Sequence, residues 1–184
     1  SRRRCSVGVA EFPANGDDPD RLLACADTAM LHAKASGRNA CRIYHDDMAE
    51  SVLRRLQVEE DLRDALGRNE FELVYQPLLD LRSGHIKGCE ALLRWRHPQR
   101  GLLTSVDFIT TIEEMGLIHP VGQWVLQQAC RQMRQWLDAG LQLDLVAVNV
   151  SPLQFARQGD FVEQVRQALQ AARLPAAHLE LELT

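Results

Sequence analysis

Apolar and polar positions change their rhythm along this 184-residue chain. Residues 5–12 alternate, which predicts a strand, and Pro13-Ala14-Asn15-Gly16-Asp17-Asp18 is a cluster of turn formers. Asp18-Pro19 then opens a helix, with the proline in the first turn, where its missing N–H does no harm. Leu22, Leu23, Ala26, Ala29, Met30 and Ala33 form one apolar stripe on that helix, and Gly37 is its C-cap. Residues 40–44 predict a short strand. Residues 46–67 read as one long, highly charged helix with apolar positions Met48, Val52, Leu56, Ala65 and Leu66. That helix is read as a connector between two domains; the alternative is an ordinary surface helix of one domain.

Past residue 70 the alternation strengthens. Residues 71–81 and 85–95 predict two strands joined by a Ser83-Gly84 turn, hence an antiparallel pair. Residues 97–101 read as a loop and 106–115 as a short helix ending at Gly116. Residues 120–139 predict a strongly amphipathic helix carrying Val121, Trp124, Val125, Ala129, Met133, Trp136 and Leu137, closed by Gly140. Residues 143–150 are nearly all apolar, the mark of a strand covered on both faces. A helix over 161–172 and a strand over 179–184 follow. Strand–helix–strand–helix–strand in this order predicts an α/β fold with parallel strands and right-handed crossovers, ending on an open sheet edge.

Chemistry concentrates where polar residues interrupt apolar strands. Glu90 and Arg94 lie four apart in the strand 85–95, and alternation places Glu90, Leu92 and Arg94 on one face. Burying both charges uncompensated is costly, and a metal ion with an anionic substrate would compensate them together. The alternative is a strand-end salt bridge on a solvent face. Asn149 and Glu182 lie near the C-terminal ends of two later strands, the end where catalytic groups gather in barrels of alternating strands and helices. Two carboxylates and an amide suit a hard divalent ion, Mg²⁺ or Mn²⁺. Asn149 has a second reading as the cap of the turn at Ser151-Pro152. Glu182 follows Glu180 by two, and one of that pair is expected to face solvent or a helix. Gln76, before Pro77, either binds a base or phosphate or marks a strand edge. Lys34 and Arg38 either bind phosphate or complement a helix C-terminus.

Composition narrows the classes. The chain is 46% hydrophobic, enough for a globular core, and its net charge of −4 argues against a broad basic surface for DNA or an anionic membrane. No apolar run approaches the roughly 18 residues of a membrane span. Five scattered cysteines without a CxxC pair predict reduced, buried thiols in a cytoplasmic protein, and six dispersed histidines argue against a Cys/His zinc site. The opening Ser1-Arg2-Arg3-Arg4 carries no initiator Met and no signal peptide, so the chain reads as a piece of a longer one.

Residues 71–184 resemble the first half of an EAL domain, the bacterial cyclic di-GMP phosphodiesterase family. The resemblance is carried by FELVYQPLLDLRSGHIKGCEALLRWRHPQRG, DFITTIEEMGLI, VAVNVSPLQF and LELELT. Residues 5–44 similarly resemble the tail of a GGDEF domain, the diguanylate cyclase family, through SVGVAEFP and ADTAMLHAKASGRN. The resemblance implies a partial TIM-like (β/α) barrel with an antiparallel first strand pair, preceded by a fragment of a GGDEF α/β domain. The division it implies is 1–45 for the GGDEF tail, 46–68 for the connecting helix and 69–184 for the front of the EAL domain.

Residue by residue, the resemblance implies Glu90, Asn149 and Glu182 as metal ligands, with Glu90 and Glu182 in the catalytic centre. Arg94 corresponds to the phosphate-contacting Arg, and Gln76 and Leu92 to the nucleotide pocket. The implied reaction is two-metal hydrolysis of cyclic di-GMP to pGpG. The family's D-D-F-G aspartates and later catalytic Lys fall beyond Thr184, which implies that this polypeptide alone is inactive and incompletely folded. In the same way the G-G-D-E-F stretch falls before Ser1, leaving Lys34 and Arg38 as vestigial phosphate contacts. Leu31 replaces a usual Tyr and Ser105 a usual Pro, both tolerable changes. The alternatives are a non-catalytic receptor for cyclic di-GMP and a protein acting mainly as a cyclase. Pairing of two copies through the EAL region is common in the family.

Overall fold

A computed structural model describes residues 5–35, 39–155 and 160–183. The chain divides into two compact units, Ser1–Glu60 and Asp61–Thr184. The first holds β1 (Val7–Val9), α1 (Pro19–Ala35), β2 (Cys41–Ile43) and the first part of α2 (Asp46–Ala65). β1 and β2 pair in parallel, Val7 opposite Cys41. The strand predicted over 5–12 is only three residues long, because Phe12-Pro13 and the turn formers after it leave the ladder. Gly8 allows α1 to lie close on β1: a Cβ there would sit 2.0 Å from the Ala26 carbonyl oxygen. Gly37, the predicted cap of α1, lies outside the described residues.

Along α2 the apolar stripe differs from the predicted one. Leu56 is 56% exposed, whereas Met48, Val58, Leu62 and Ala65 are buried. Those four recur at helical spacing along one face, and Leu56 falls off it.

The second unit runs β3 (Phe71–Leu79), β4 (Ile86–His97), β5 (Gly101–Thr104), α3 (Ile109–Glu114), α4 (Ile118–Asp138), β6 (Leu145–Val150), α5 (Asp160–Ala172) and β7 (Leu179–Leu183). Its sheet has the order β3-β4-β6-β7, with β5 also on β4. β3 and β4 are antiparallel, as the hairpin signal predicts, and β4–β6 and β6–β7 are parallel. The hairpin turn is tied by Asp80, whose Oδ1 accepts the N–H groups of Arg82 and Ser83 at 2.9 and 2.8 Å. Gly84 closes it at φ 73°.

Two predicted elements are corrected. The loop over 97–101 is the turn of a second hairpin: His97 ends β4 and pairs with Gly101, the first residue of β5. The helix over 106–115 is broken into a 3₁₀ turn, Ser105–Asp107, and the six-residue α3. Asp107 caps the first turn by accepting the Thr104 N–H and hydroxyl at 2.9 and 2.8 Å, and the break comes at Phe108, whose φ −144° and ψ −10° leave the helical region.

One sheet face is the core. Cys89, Ala91, Leu93 and Trp95 of β4 and Val146, Val148 and Val150 of β6 are buried, together with Phe108, Ile112, Val121 and Met133 from the helical layer. Phe71, Trp95 and Phe108 meet with ring centroids 5.6–6.2 Å apart. Polar atoms at the margin of this core are partnered. Trp95 Nε1–H donates to Glu70 Oε2 at 3.0 Å, and Glu70 Oε1 accepts Arg68 Nε–H at 2.7 Å. His97, almost fully buried, lies 3.0 Å through Nε2 from Asp61 and accepts the Gln99 N–H at Nδ1. The opposite sheet face carries the polar residues.

Candidate functional site

Strand parity places the site. On β4, Glu90, Leu92 and Arg94 are half-buried and alternate with the buried Ala91, Leu93 and Trp95. Gln76 of β3 stands opposite Glu90 on one side and the small Ala147 of β6 on the other. Two residues further along β6, on the same face, the Asn149 amide donates from Nδ2 to Glu90 Oε1 at 2.5 Å. In the next ladder Glu182 stands directly opposite Asn149, and adjacent strands lie about 4.8 Å apart. The three oxygen-bearing side chains assigned to a metal thus share one face of three neighbouring strands.

Of the pair Glu180 and Glu182, Glu180 is the exposed one and Glu182 is half-buried, although the two-residue spacing sends both to one face of the strand. Leu179, Leu181 and Leu183 take the other face. Glu90 and Arg94 do not form a salt bridge with each other. Glu90 takes Asn149, and Arg94 Nη1 donates to the Leu93 carbonyl at 2.9 Å. Arg94 therefore lies on the face of Glu90, not paired with it. Gln76 is exposed opposite Glu90 and Leu92 is half-buried. Lys34 is exposed in the last turn of α1, in the first unit, and Arg38 lies outside the described residues.

A cavity of about 280 Å³ adjoins this face, lined among others by Leu92, Ser105, Ile109, Glu113, Val121 and Asn149. Glu113 is the residue the sequence reading missed. Its Oε1 accepts the Ser151 hydroxyl at 2.6 Å, across 38 residues of sequence. A signal existed: Glu113 falls four residues after Ile109 on α3, a position where an apolar side chain is expected. Ser151, proposed only as part of a turn, is itself buried.

The donor set fits a hard cation. Among the described residues no three His, Cys, Asp or Glu side chains gather around one point, so an ion here would depend on the amide as well as the carboxylates. In the structure Asn149 presents N–H to Glu90, and a cation would require its oxygen instead. Nearby titratable groups of the core face stay neutral: burial pushes the Cys89 thiol up to about 11 and the Tyr75 hydroxyl up to about 12. The cysteines are free among the described residues, but Cys5 and Cys41 are exposed, against expectation, because β1 and β2 form a sheet of only two strands. No described helix is long and apolar enough to cross a membrane.

Comparison with known proteins gives this geometry a family. The EAL domain profile matches residues 59–184. The chain is 45% identical over 183 residues to the bifunctional diguanylate cyclase/cyclic di-GMP phosphodiesterase MucR of Pseudomonas aeruginosa, covering 100% of this chain and 27% of MucR. It is 39% identical over 180 residues to the cyclic di-GMP phosphodiesterase PdeR of Escherichia coli, covering 98% of this chain and again 27% of the relative. The chain thus spans about a quarter of the length of these relatives. Among solved structures it is similar to the PaMucR phosphodiesterase in its c-di-GMP complex, with a TM-score of 0.64 and 49% identity over 68% of this chain and 50% of that one. From residue 59 onward, this chain belongs to the EAL domain family.

Proposed function

We propose that this chain is the front part of an enzyme that hydrolyses cyclic di-GMP to pGpG, with Mg²⁺ or Mn²⁺ held by Glu90, Asn149 and Glu182. Residues 1–45 are then the tail of a GGDEF domain and α2 is the connector. The match of MucR across both regions supports this division. The observation that carries the reading is the Glu90–Asn149 hydrogen bond with Glu182 in register beside it.

Two carboxylates facing a phosphodiester would repel it, by about 4 kcal/mol for unit charges 4 Å apart at an effective dielectric of 20. Divalent cations, when bound, remove that repulsion, activate water and neutralise charge on the leaving oxygen. The protein's own part is positioning. Glu90 and Asn149 hold each other on adjacent strands, so their oxygens stay close before any ligand arrives. Arg94, which among the described residues donates only to a backbone carbonyl, has donors left for a non-bridging phosphate oxygen. Leu92 forms an apolar wall suited to a base, and Gln76 offers an exposed amide on the far side of Glu90.

The test is pGpG release, with Mn²⁺ or Mg²⁺ and without, by the protein that carries this chain. Glu90→Gln should lower kcat by about 100-fold or more, about 2.7 kcal/mol in barrier, while thermal unfolding stays cooperative. Tight binding of cyclic di-GMP without cation-dependent turnover would favour the receptor reading. The 184 residues by themselves should release no pGpG, since these three ligands fall short of what two cations need; robust turnover by them would overturn that statement.

A further inference from the structure

The end of β6 is held by its ladder with β7, which runs on to Val150, and on its other side from outside the sheet. Its ladder with β4 stops at Ala91 and Val148, so on that side nothing in the ladder fixes the backbone of Asn149. The next anchor is Ser151, 7% exposed. Its hydroxyl donates to Glu113 Oε1 at 2.6 Å and accepts the Leu153 N–H at 3.2 Å, while its own N–H donates to Gln154 Oε1 at 3.0 Å. Gln154, 4% exposed, sits close against α4 at Gly122: a Cβ there would lie 2.2 Å from Gln154 Nε2 and would displace that amide. Among the described residues Glu113 is the one charged side chain lining the adjoining cavity, and it accepts from a hydroxyl, not from a cation. A hydrogen bond from a neutral hydroxyl to a carboxylate is among the strong ones, and it joins α3 to the strand end two residues past Asn149.

We propose that Glu113 is a positioning residue: through the Ser151 hydroxyl it fixes the end of β6, and so the aim of the Asn149 amide at Glu90. This deepens the phosphodiesterase reading and rests on it only where cations and turnover are measured. Outer partners of this kind set ligand orientation, and their loss typically weakens metal binding about 10–100-fold.

The test reads Asn149 directly. The metal-free chain, isotopically labelled at asparagine, carries four side-chain amides, of Asn15, Asn39, Asn69 and Asn149. The pair that disappears in Asn149→Asp is the one to follow. In the unmodified chain it should exchange with water at least about tenfold more slowly than the exposed Asn39 and Asn69 amides. Glu113→Ala and Ser151→Ala should each remove about tenfold of that protection, and the double variant should be no worse than either single one. Glu113→Gln keeps an acceptor oxygen and should stay within about threefold of the original. In the protein carrying the chain, Mn²⁺ affinity should fall about tenfold in Glu113→Ala and recover in Glu113→Gln. If Glu113→Ala does not fold, Ser151→Ala, which only deletes an oxygen, carries the test. Unchanged Asn149 protection in Ser151→Ala, additive losses in the double variant, or Glu113→Gln as damaging as Glu113→Ala would each overturn the proposal. Loss of protection in a protein that neither binds Mn²⁺ nor releases pGpG would instead sustain the positioning role and sink the phosphodiesterase reading.

Discussion

Glu70 shows how single residues here are fixed by partners far away in sequence. Its side chain is 10% exposed and shared between Arg68 and the indole N–H of Trp95. Burial pushes its pKa up, but the hydrogen bonds from Arg68 and Trp95 outweigh that and hold the carboxyl below its ordinary 4.5. A lowered folded pKa means that the unfolded chain binds the proton more tightly. The stabilisation is therefore complete above about pH 4.5 and is lost as pH falls through the lowered folded value. Urea midpoints between pH 3 and 6 should show this slope, and Glu70→Gln should flatten it. Glu70→Ala leaves the Trp95 N–H buried without its acceptor and should cost about 1–3 kcal/mol. Thiol chemistry divides the cysteines in the same local way. Cys5 and Cys41 are exposed and should react at once with a disulfide reagent at pH 8. Cys130, pushed to about 11 by burial, and Cys89, raised likewise, should react only on unfolding. Equal rates for all five would contradict the packing. At this scale the sequence was readable where strand parity decides, as for Glu90, Leu92 and Arg94. It was not readable for Glu70, whose partner lies 25 residues away and leaves no periodic trace; for Glu113 the break in the apolar period of α3 marked the residue, but not its partner 38 residues away.

Elements were legible in proportion to their length and regularity. The long helices α1 and α4 and the strands β3, β4 and β6 follow from their hydrophobic periods, and α2 from its unbroken charged run, though not its buried stripe. The losses are β5, four residues set beside β4 by a turn, and the junction before α3, where Phe108 leaves helical backbone angles between two short helical pieces. Gly88 makes the contact between β4 and β6 testable. A Cβ there would lie 2.3 Å from the Leu145 carbonyl oxygen, on backbone that cannot move without parting the strands. Gly88→Ala should cost about 1–3 kcal/mol in thermal or urea unfolding. It should also loosen the Glu90–Asn149 bond two positions further on, seen as faster exchange of the Asn149 amide. Normal stability with an undisturbed amide would mean that the strands have slack to spare.

Across the whole chain, the alternation of strands and helices announced an α/β protein, and the charged run 46–67 announced a helix; the boundary between the two compact units falls within it, after Glu60. Which groups would share one ion could not be read from that alternation, since register between β6 and β7 is a property of pairing and not of either strand. β7 is an edge of the described sheet, and Leu181 and Leu183 on its helix-side face are 38% and 69% exposed. Such an edge invites association. Light scattering of the 184-residue chain should show concentration-dependent growth, and Leu183→Lys should suppress it. β4 closes the account differently. Twelve residues long, it is bonded to β3, β5 and β6 at once, and it bears both the acid that meets Asn149 and the guanidinium four places on. It is the keel of this half of the molecule. A library of variants that draws on β4 will return mostly variants of altered solubility, so the Glu90–Asn149 bond is better tuned from the helix α3, which reaches the end of β6 through one serine.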